Sequence, residues 1–325
     1  MLLADHTTLR LGGPAGTFVA ATTDDALIAA VRDAEDDLLL VAGGSNLVVG
    51  DDGFPGTVVK IATRGVERDG HVLHVAAGES WDALVARAVA DGLAGIECLA
   101  GVPGSVGATP IQNVGAYGQE VSDTIISVRA YDRRAGAVVD LAPADCGFGY
   151  RDSAFKRDPD HHVVLRVSFA LEPTDRARPI RYAELADAVG GDEHPSPEQV
   201  RDAVLRLRRA KGMVLDPADH DTWSAGSFFT NPILAPAALP DGAPAFPQPD
   251  GRVKTSAAWL IQHAGFAKGD GDPSGIAIST KHVLALTNRG HGTTKELTRL
   301  ANRIQDTVEA AYGIRLEPEP VFVRT

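Results

Sequence analysis

Three side chains in this 325-residue chain sit in surroundings suited to chemistry: a hydroxyl, a guanidinium and a carboxylate. The hydroxyl is Ser227, in the turn Gly226-Ser-Phe-Phe-Thr-Asn-Pro232. A serine buried among Phe228 and Phe229 can donate a proton to a reacting carbon, provided a neighbouring charge or water supports its weak acidity. A serine that merely closes a turn is the commoner case. The guanidinium is Arg151, next to Tyr150 in Gly149-Tyr-Arg-Asp-Ser153. An arginine fork can pin a carboxylate and stabilise charge that builds on it. Without context, a surface ion pair is the more frequent fate of an arginine. The carboxylate is Glu319, in Leu316-Glu-Pro-Glu-Pro-Val321, which on its own reads as an exposed edge charge before a final strand.

Two glycine-rich loops accompany these groups. The first runs out of an apolar segment into Gly43, Gly44, Ser45, Asn46 and Leu47. The second is Gly101-Val-Pro-Gly-Ser-Val-Gly107, continuing through Gln112-Asn-Val-Gly-Ala-Tyr-Gly118. Without a Cβ in the way, successive backbone N–H groups can approach phosphate oxygens and form a nest for a pyrophosphate. A tight turn between strands would explain the first loop equally well. Gly101, Gly104 and Gly107 stand at three-residue steps, so the G-x-G-x-x-G fingerprint is absent, and so is a Walker lysine. Two such loops in separate α/β units suggest a redox enzyme with a bound nucleotide cofactor.

The elements that must position these groups follow from the apolar periodicity. Helices are predicted over 24–36 with Asp24 as N-cap, over 80–90, from the capping box Ser196-Pro-Glu-Gln199 to Lys211, over 255–264, and from the capping box Thr293-Thr-Lys-Glu296 to Gly313. Strands are predicted at 38–41, 57–61, 72–76, 125–131, 138–141, 163–171, 283–287 and 321–323. Residues 212–251, rich in Pro, Gly, Asp and Ala, read as a functional loop on an ordered scaffold. The length predicts two or three domains. A net charge of −12 argues against nucleic acid or an anionic membrane as partner. Two cysteines, Cys98 and Cys146, make neither a disulfide framework nor a multi-cysteine zinc site, and no metal is expected. The N-terminus shows no signal peptide and no stretch is apolar enough to span a membrane, so a cytoplasmic protein is expected.

Together these motifs resemble the UDP-N-acetylenolpyruvoylglucosamine reductase family, FAD enzymes that complete UDP-N-acetylmuramate for peptidoglycan. The resemblance spans nearly the whole chain, from Thr7-Thr-Leu-Arg-Leu-Gly-Gly-Pro-Ala15 through the two glycine-rich loops, Tyr150-Arg-Asp-Ser153, Gly226 to Pro232 and Ser256-Ala-Ala-Trp-Leu-Ile261 to Leu316-Glu-Pro-Glu319. It implies an α+β fold of three domains. A two-domain FAD-binding fold of the vanillyl-alcohol-oxidase type would hold the cofactor, and a substrate-binding α/β domain would complete the site. The corresponding boundaries are 1–65, 66–211 and 212–315, with the strand in 316–325 returning to the active site.

By the same resemblance, non-covalent FAD would be lined by Gly43, Gly44, Ser45, Asn46, Leu47, Gly101, Pro103, Gly104, Ser105, Gly107, Gln112, Asn113, Gly115, Ala116, Tyr117 and Gly118. NADPH would reduce the flavin and leave. Hydride would then pass to the enolpyruvyl methylene of UDP-N-acetylglucosamine enolpyruvate, with Arg151 and Glu319 stabilising charge on the carboxylate and Ser227 donating the proton. Tyr150, Tyr182, Lys211, Asn231 and His282 would contact the substrate. Tyr182, in Arg181-Tyr-Ala-Glu-Leu185, marks the longer type of the family. The chain departs from many relatives by carrying Lys281-His282 before Val283, where they have Gln, and by a longer spacing from Lys211 to Ser227. A monomer is expected. Read from the loops alone, an FAD-dependent sugar or alcohol oxidase or dehydrogenase and a silent nucleotide-binding scaffold are the alternatives.

Overall fold

The computed structural model describes residues 1–34, 37–180 and 182–325. They pack as two compact units, one of residues 16–43 and 56–210, the other of residues 1–15, 44–55 and 211–325. Helices and mostly antiparallel strands make this an α+β fold, as the resemblance implied.

The 16–210 unit contains two sheets. In the smaller, Phe54–Ile61 lies between Ala15–Ala21 and Leu38–Val41, and pairs in parallel with the latter. The helix Asp24–Arg32 packs Leu27 and Val31 into a core with Val59, Tyr131, Val163 and Leu165. Its N-cap is Thr23, whose hydroxyl accepts the Ala26 N–H at 3.1 Å, and not Asp24 as predicted. Asp24 and Asp25 sit instead in the first turn, where a carboxylate suits the positive end of the helix dipole. The helix stops at Arg32; its predicted end at Asp36 lies outside the described residues.

The larger sheet is antiparallel throughout, with neighbours in the order Ala137–Leu141, Ile125–Asp132, His162–Ala170, Val72–Ala76 and Val66–Asp69. The helix Trp81–Ala90, capped by Ser80, places Trp81 in full burial against Phe169, where its Nε1–H donates to Leu99 O at 3.1 Å. A tryptophan buried with its one donor satisfied anchors that helix at little polar cost. The helix Pro197–Ala210 begins with the predicted capping box: Ser196 N–H donates to Gln199 Oε1 and Gln199 N–H to Ser196 Oγ.

In the second unit, the helix Thr294–Tyr312 buries Leu297, Leu300, Ala301, Ile304 and Val308 against Leu260, Ile261, Ile276, Ile278, Leu286, Phe228 and Phe229. Its capping box at Thr293 and Glu296 and its left-handed Gly313 stop are those predicted. The helix Ala257–His263 is capped by Ser256. Val321–Val323 pairs in parallel with Leu47–Val49. The strand predicted over 283–287 is shorter and shifted: Leu286–Asn288 pairs with Ile276–Ile278. Residues 282–285 turn instead, with Ala285 N–H on His282 O and Ser279 N–H on Ala285 O. Val283 and Leu284 are apolar because the turn is buried, and a short buried apolar run reads like a strand whatever its backbone does. No helix among the described residues is long and apolar enough to cross a membrane.

One buried charge holds this unit together locally. Asp221, 3% exposed at its side chain, pairs with Arg289 Nη2 at 2.8 Å and accepts both the backbone N–H and the hydroxyl of Thr280. Removing one partner of such a pair leaves a desolvated charge uncompensated. Arg289→Met is expected to cost about 3–5 kcal/mol of unfolding free energy, read from the urea midpoint; a shift below ~1 kcal/mol would place the pair in the weak class of surface ion pairs.

Candidate functional site

The second unit brings three of the sequence-predicted segments into direct contact. Phe228 N–H donates to Leu284 O at 2.8 Å, and Phe228 O accepts the Glu319 N–H at 2.9 Å. Glu319 O in turn accepts Asn46 Nδ2 at 3.3 Å, and Val321 N–H donates to Asn46 O at 2.9 Å. The Ser227 turn, the Glu319 segment and the Ser45–Asn46 loop are therefore laced together by backbone groups and the Asn46 amide. Ser227 itself is half-buried, whereas Phe228 and Phe229 are fully buried and cross edge-on at 5.2 Å. The expectation of a hydroxyl enclosed by both rings is thus corrected. The rings anchor the turn because the core absorbs them, while Ser227 is only partly buried.

Of the other residues in this unit, Asn231 accepts the Ala257 N–H at 3.0 Å through Oδ1, which ties it to the start of the Ala257–His263 helix. His282 belongs to the 282–285 turn, and its N–H donates to Ser279 Oγ. Its neighbour Lys281 pairs with Asp219, and that hydrogen bond, the largest influence, holds the Asp219 carboxyl below its usual range. Lys211 is half-buried at the first position of the 211–325 segment. Gly44, with φ of +64°, lies under the backbone of His6: a Cβ there would stand 1.8 Å from His6 O.

The 16–210 unit assembles the remaining candidates. Arg151 adopts the left-handed conformation, φ +53°, and donates through Nη2 to Gly115 O at 2.6 Å. Its turn is stapled to the glycine-rich segment by three side chains. Asn113 Nδ2 donates to Gly149 O, Ser153 Oγ to Ile111 O, and Lys156 Nζ to both Arg151 O and Gln112 Oε1. Gly115 and Ala116 pair with Gln119 and Glu120 in a small hairpin. At its tip Tyr117, φ +49°, meets Tyr182 edge-on at 5.3 Å. Tyr150 lies under the Arg151 guanidinium at 5.5 Å. Burial raises the Tyr117 pKa to about 12, and the charge of Arg208 pulls the other way.

Arg208 was absent from the sequence-level candidates. At the end of a helix it reads as a dipole-complementing cation, but the structure buries its Nε and sets its charge against Tyr117 and Asp82. Asn113 and Ser153 likewise carried no signal as holders of the Arg151 turn, since their partners Gly149 O and Ile111 O are backbone carbonyls distant in sequence, and Lys156 reaches the distant side chain of Gln112.

Residues expected to hold one dinucleotide ought to be contiguous, and Gly43 and the 101–107 loop are. A Cβ on Gly43 would stand 2.4 Å from Gly104 Cα and 3.0 Å from Ser105 N. Only glycine allows these two backbones to lie on one another. Gly107 is packed as closely on Ala77, and Gly101 and Gly104 hold φ of +70° and +130°. Ser105 is buried, while Val102 and Pro103 are half-exposed. Trp81 N–H donates to Gly104 O, and Asp82 Oδ1 accepts the Gly101 N–H, so the loop is held against the start of the Trp81–Ala90 helix. A contiguous, glycine-dependent and rigidly held pair of loops fits a pyrophosphate cradle.

Residues 216–323 match the family described as UDP-N-acetylenolpyruvoylglucosamine reductase, C-terminal domain, and residues 15–142 match an FAD binding domain. The UDP-N-acetylenolpyruvoylglucosamine reductase of Streptomyces coelicolor is 59% identical, over 99% of this chain and 88% of its own length. That of Thermobifida fusca is 53% identical, over 99% of this chain and 96% of its own. Among solved structures, the reductase of the same name from Thermus caldophilus superposes with a TM-score of 0.71 at 27% identity, over 99% of this chain and 97% of that one.

Gly43→Ala tests the cradle. Its methyl would drive the loop off Gly104, and bound flavin per chain, read from visible absorbance, is expected to fall by ~10-fold or more, equivalent to at least ~1.4 kcal/mol of binding. Gly136→Ala, which strains a left-handed turn at φ +66° but whose Cβ meets nothing within 4 Å, should retain its flavin. Equal flavin content in the two variants would remove the Gly43–Gly104 contact from cofactor binding.

Proposed function

The chain belongs to the UDP-N-acetylenolpyruvoylglucosamine reductase family, and from that premise we propose that it reduces UDP-N-acetylglucosamine enolpyruvate to UDP-N-acetylmuramate for peptidoglycan synthesis. It is an FAD-dependent oxidoreductase with NADPH as co-substrate. The observation that carries this reading is identity above half of all positions across 99% of the chain. The backbone lacing of the Ser227 turn to the Glu319 segment supports it at the site.

FAD, held by the residues of the two glycine-rich segments, would supply the two-electron hydride chemistry between NADPH and the terminal carbon of the enolpyruvyl group. As hydride arrives at that methylene, the electrons of the double bond move towards the carboxylate. Arg151 is assigned to that carboxylate. Its left-handed backbone and its hydrogen bond to Gly115 O hold the guanidinium in one orientation, so little reorganisation is needed as charge develops. Glu319 shares this role. Ser227 delivers the proton to the carbon next to the carboxylate. Its backbone is fixed by the two hydrogen bonds of Phe228 and by a buried ring on each following residue, which supplies the alignment that a weak acid needs. Tyr150, Tyr182, Lys211, Asn231 and His282 bind the UDP-sugar, and the residues of the two glycine-rich segments bind FAD.

Residues 1–65 and 66–211 form the cofactor-binding part in this reading, and 212–315 the substrate-binding part. The parallel pairing of Val321–Val323 with Leu47–Val49 supports a C-terminal strand that returns to the first glycine-rich loop. The protein acts as a monomer in the cytoplasm, without nucleic acid.

The direct test is NADPH oxidation by the purified yellow protein, which should require UDP-N-acetylglucosamine enolpyruvate. Oxygen consumption with a sugar or alcohol, and no response to the enolpyruvyl compound, would favour the oxidase alternative. For Ser227→Ala, flavin reduction by NADPH should survive in stopped-flow traces while reoxidation by the enolpyruvyl substrate slows by ~10²-fold or more. Both half-reactions intact would remove Ser227 from the chemistry. Arg151→Lys should lose most turnover, because an ammonium cannot reproduce the planar fork; a near-normal rate would return Arg151 to a structural role.

A further inference from the structure

At one end of the five-stranded sheet, Asp132 closes the strand Ile125–Asp132 directly opposite His162, the first residue of the strand His162–Ala170. His161 precedes it. The Nε2 atoms of His161 and His162 lie 3.3 and 3.9 Å from one oxygen, Asp132 Oδ2, and a ligand atom of each residue falls within 4.8 Å of the other two. We propose that Asp132, His161 and His162 form a binding site for a divalent first-row transition ion, Zn²⁺ or one of similar preference, which clamps the ends of the two strands.

The donor set and spacing suit that class of ion. Two imidazoles and one carboxylate are borderline ligands that favour zinc, cobalt, nickel or copper over calcium or magnesium, which take oxygen alone. Around zinc at ~2.0–2.2 Å from each ligand, tetrahedral geometry places neighbouring ligand atoms ~3.3 Å apart. The His161–Asp132 separation already has this value, and the His162–Asp132 separation needs about half an ångström of closure, within the reach of a small imidazole rotation.

The surroundings hold the ligands as a metal site requires. Asp132 Oδ1 accepts the N–H groups of Arg134 and Ala135, both at 2.8 Å, which keeps Oδ2 turned to the imidazoles. On the far side of His161, Nδ1 lies 3.7 Å from Asp158 Oδ2. A carboxylate on one ring nitrogen selects the tautomer that offers the other nitrogen to a metal. The Arg134 charge that would oppose a cation is paired with Asp158 at 2.9 Å. The two rings approach to 3.8 Å between centroids, a distance that disfavours two imidazolium charges. Burial lowers the His162 pKa, and the neighbouring His161 adds to this. The side chains remain 14–26% exposed, which leaves an entry path and room for a water ligand. None of the three is assigned to the reduction, so their proximity serves no other purpose identified above.

The test uses the FAD-loaded full-length protein, stripped by chelator and titrated near neutral pH with Zn²⁺ by calorimetry and with Co²⁺ by visible absorption. One saturable equivalent is expected, with a tetrahedral Co²⁺ band and a rise in Tm. The double variant His161→Ala/His162→Ala should bind at least ~100-fold more weakly, and Asp158→Asn ~10-fold more weakly, in line with the cost of disturbing even outer-shell partners. Unchanged flavin content and far-UV dichroism show that each variant is folded; His161→Gln/His162→Gln serves if the alanine variant is not. A wild-type protein that takes up no stoichiometric Zn²⁺, or a folded double variant that binds like wild type, overturns the site and leaves His161 and Asp132 as an ordinary ion pair.

Discussion

Two hydrogen bonds made by the backbone of one residue, Phe228, hold the Ser227 turn against two distant stretches of chain. Its N–H reaches Leu284 O and its carbonyl takes the Glu319 N–H. Three stretches of chain separated by dozens of residues are thereby held at hydrogen-bonding distance, and the buried rings of Phe228 and Phe229 anchor the turn that joins them. Because backbone groups buried without partners are costly, the register of this junction is strongly determined. Ser227 and Glu319 inherit their places from it, because the backbone of the adjoining residues holds the two segments together. The irregular 282–285 turn has its reason here as well, since Leu284 spends its carbonyl on the Ser227 turn and not on a sheet ladder.

The same economy governs Arg151. Its turn adopts a backbone that non-glycine residues enter reluctantly, and it is held there by Asn113, Ser153 and Lys156, whose bonds all reach across to the glycine-rich segment or back to the turn. The guanidinium and the 111–118 segment therefore behave as one rigid piece. The glycines serve backbone contact first. At Gly43 and Gly107 the missing Cβ makes room for another stretch of chain, and the proposed phosphate cradle would follow from two loops pressed together. Preorganisation of this kind suits a reaction in which the cofactor performs the electron transfer and the protein supplies alignment and charge compensation.

Much of this was legible in the residues themselves. Capping boxes at Ser196 and Thr293, the Gly313 stop and the apolar stripe from Leu297 to Val308 are local signals, and their helices stand where those signals place them. Sequence reasoning failed at the cap of the first helix: Asp24 was expected, but Thr23 is an equally good N-cap type, and the backbone places the cap there. The strand predicted at Val283 failed for a different reason, since hydrophobicity reports burial and is silent about backbone shape when the run is short.

The amino-acid sequence by itself determined the family, the cofactor class and the identity of the candidate groups, because eight motifs in a fixed order constrain a chain more tightly than any one loop can. It also determined the helices, whose hydrogen bonds and caps lie within a few residues of each other. Only the tertiary structure decided how those groups are held: that Ser227 stands on a turn anchored by two buried rings, that Asn113, Ser153 and Lys156 fasten Arg151, that Arg208 faces Tyr117, and that two consecutive histidines meet Asp132 across a sheet. Each of these depends on atoms brought together by packing over long sequence separations, and no local pattern of residue types encodes a distance of that kind.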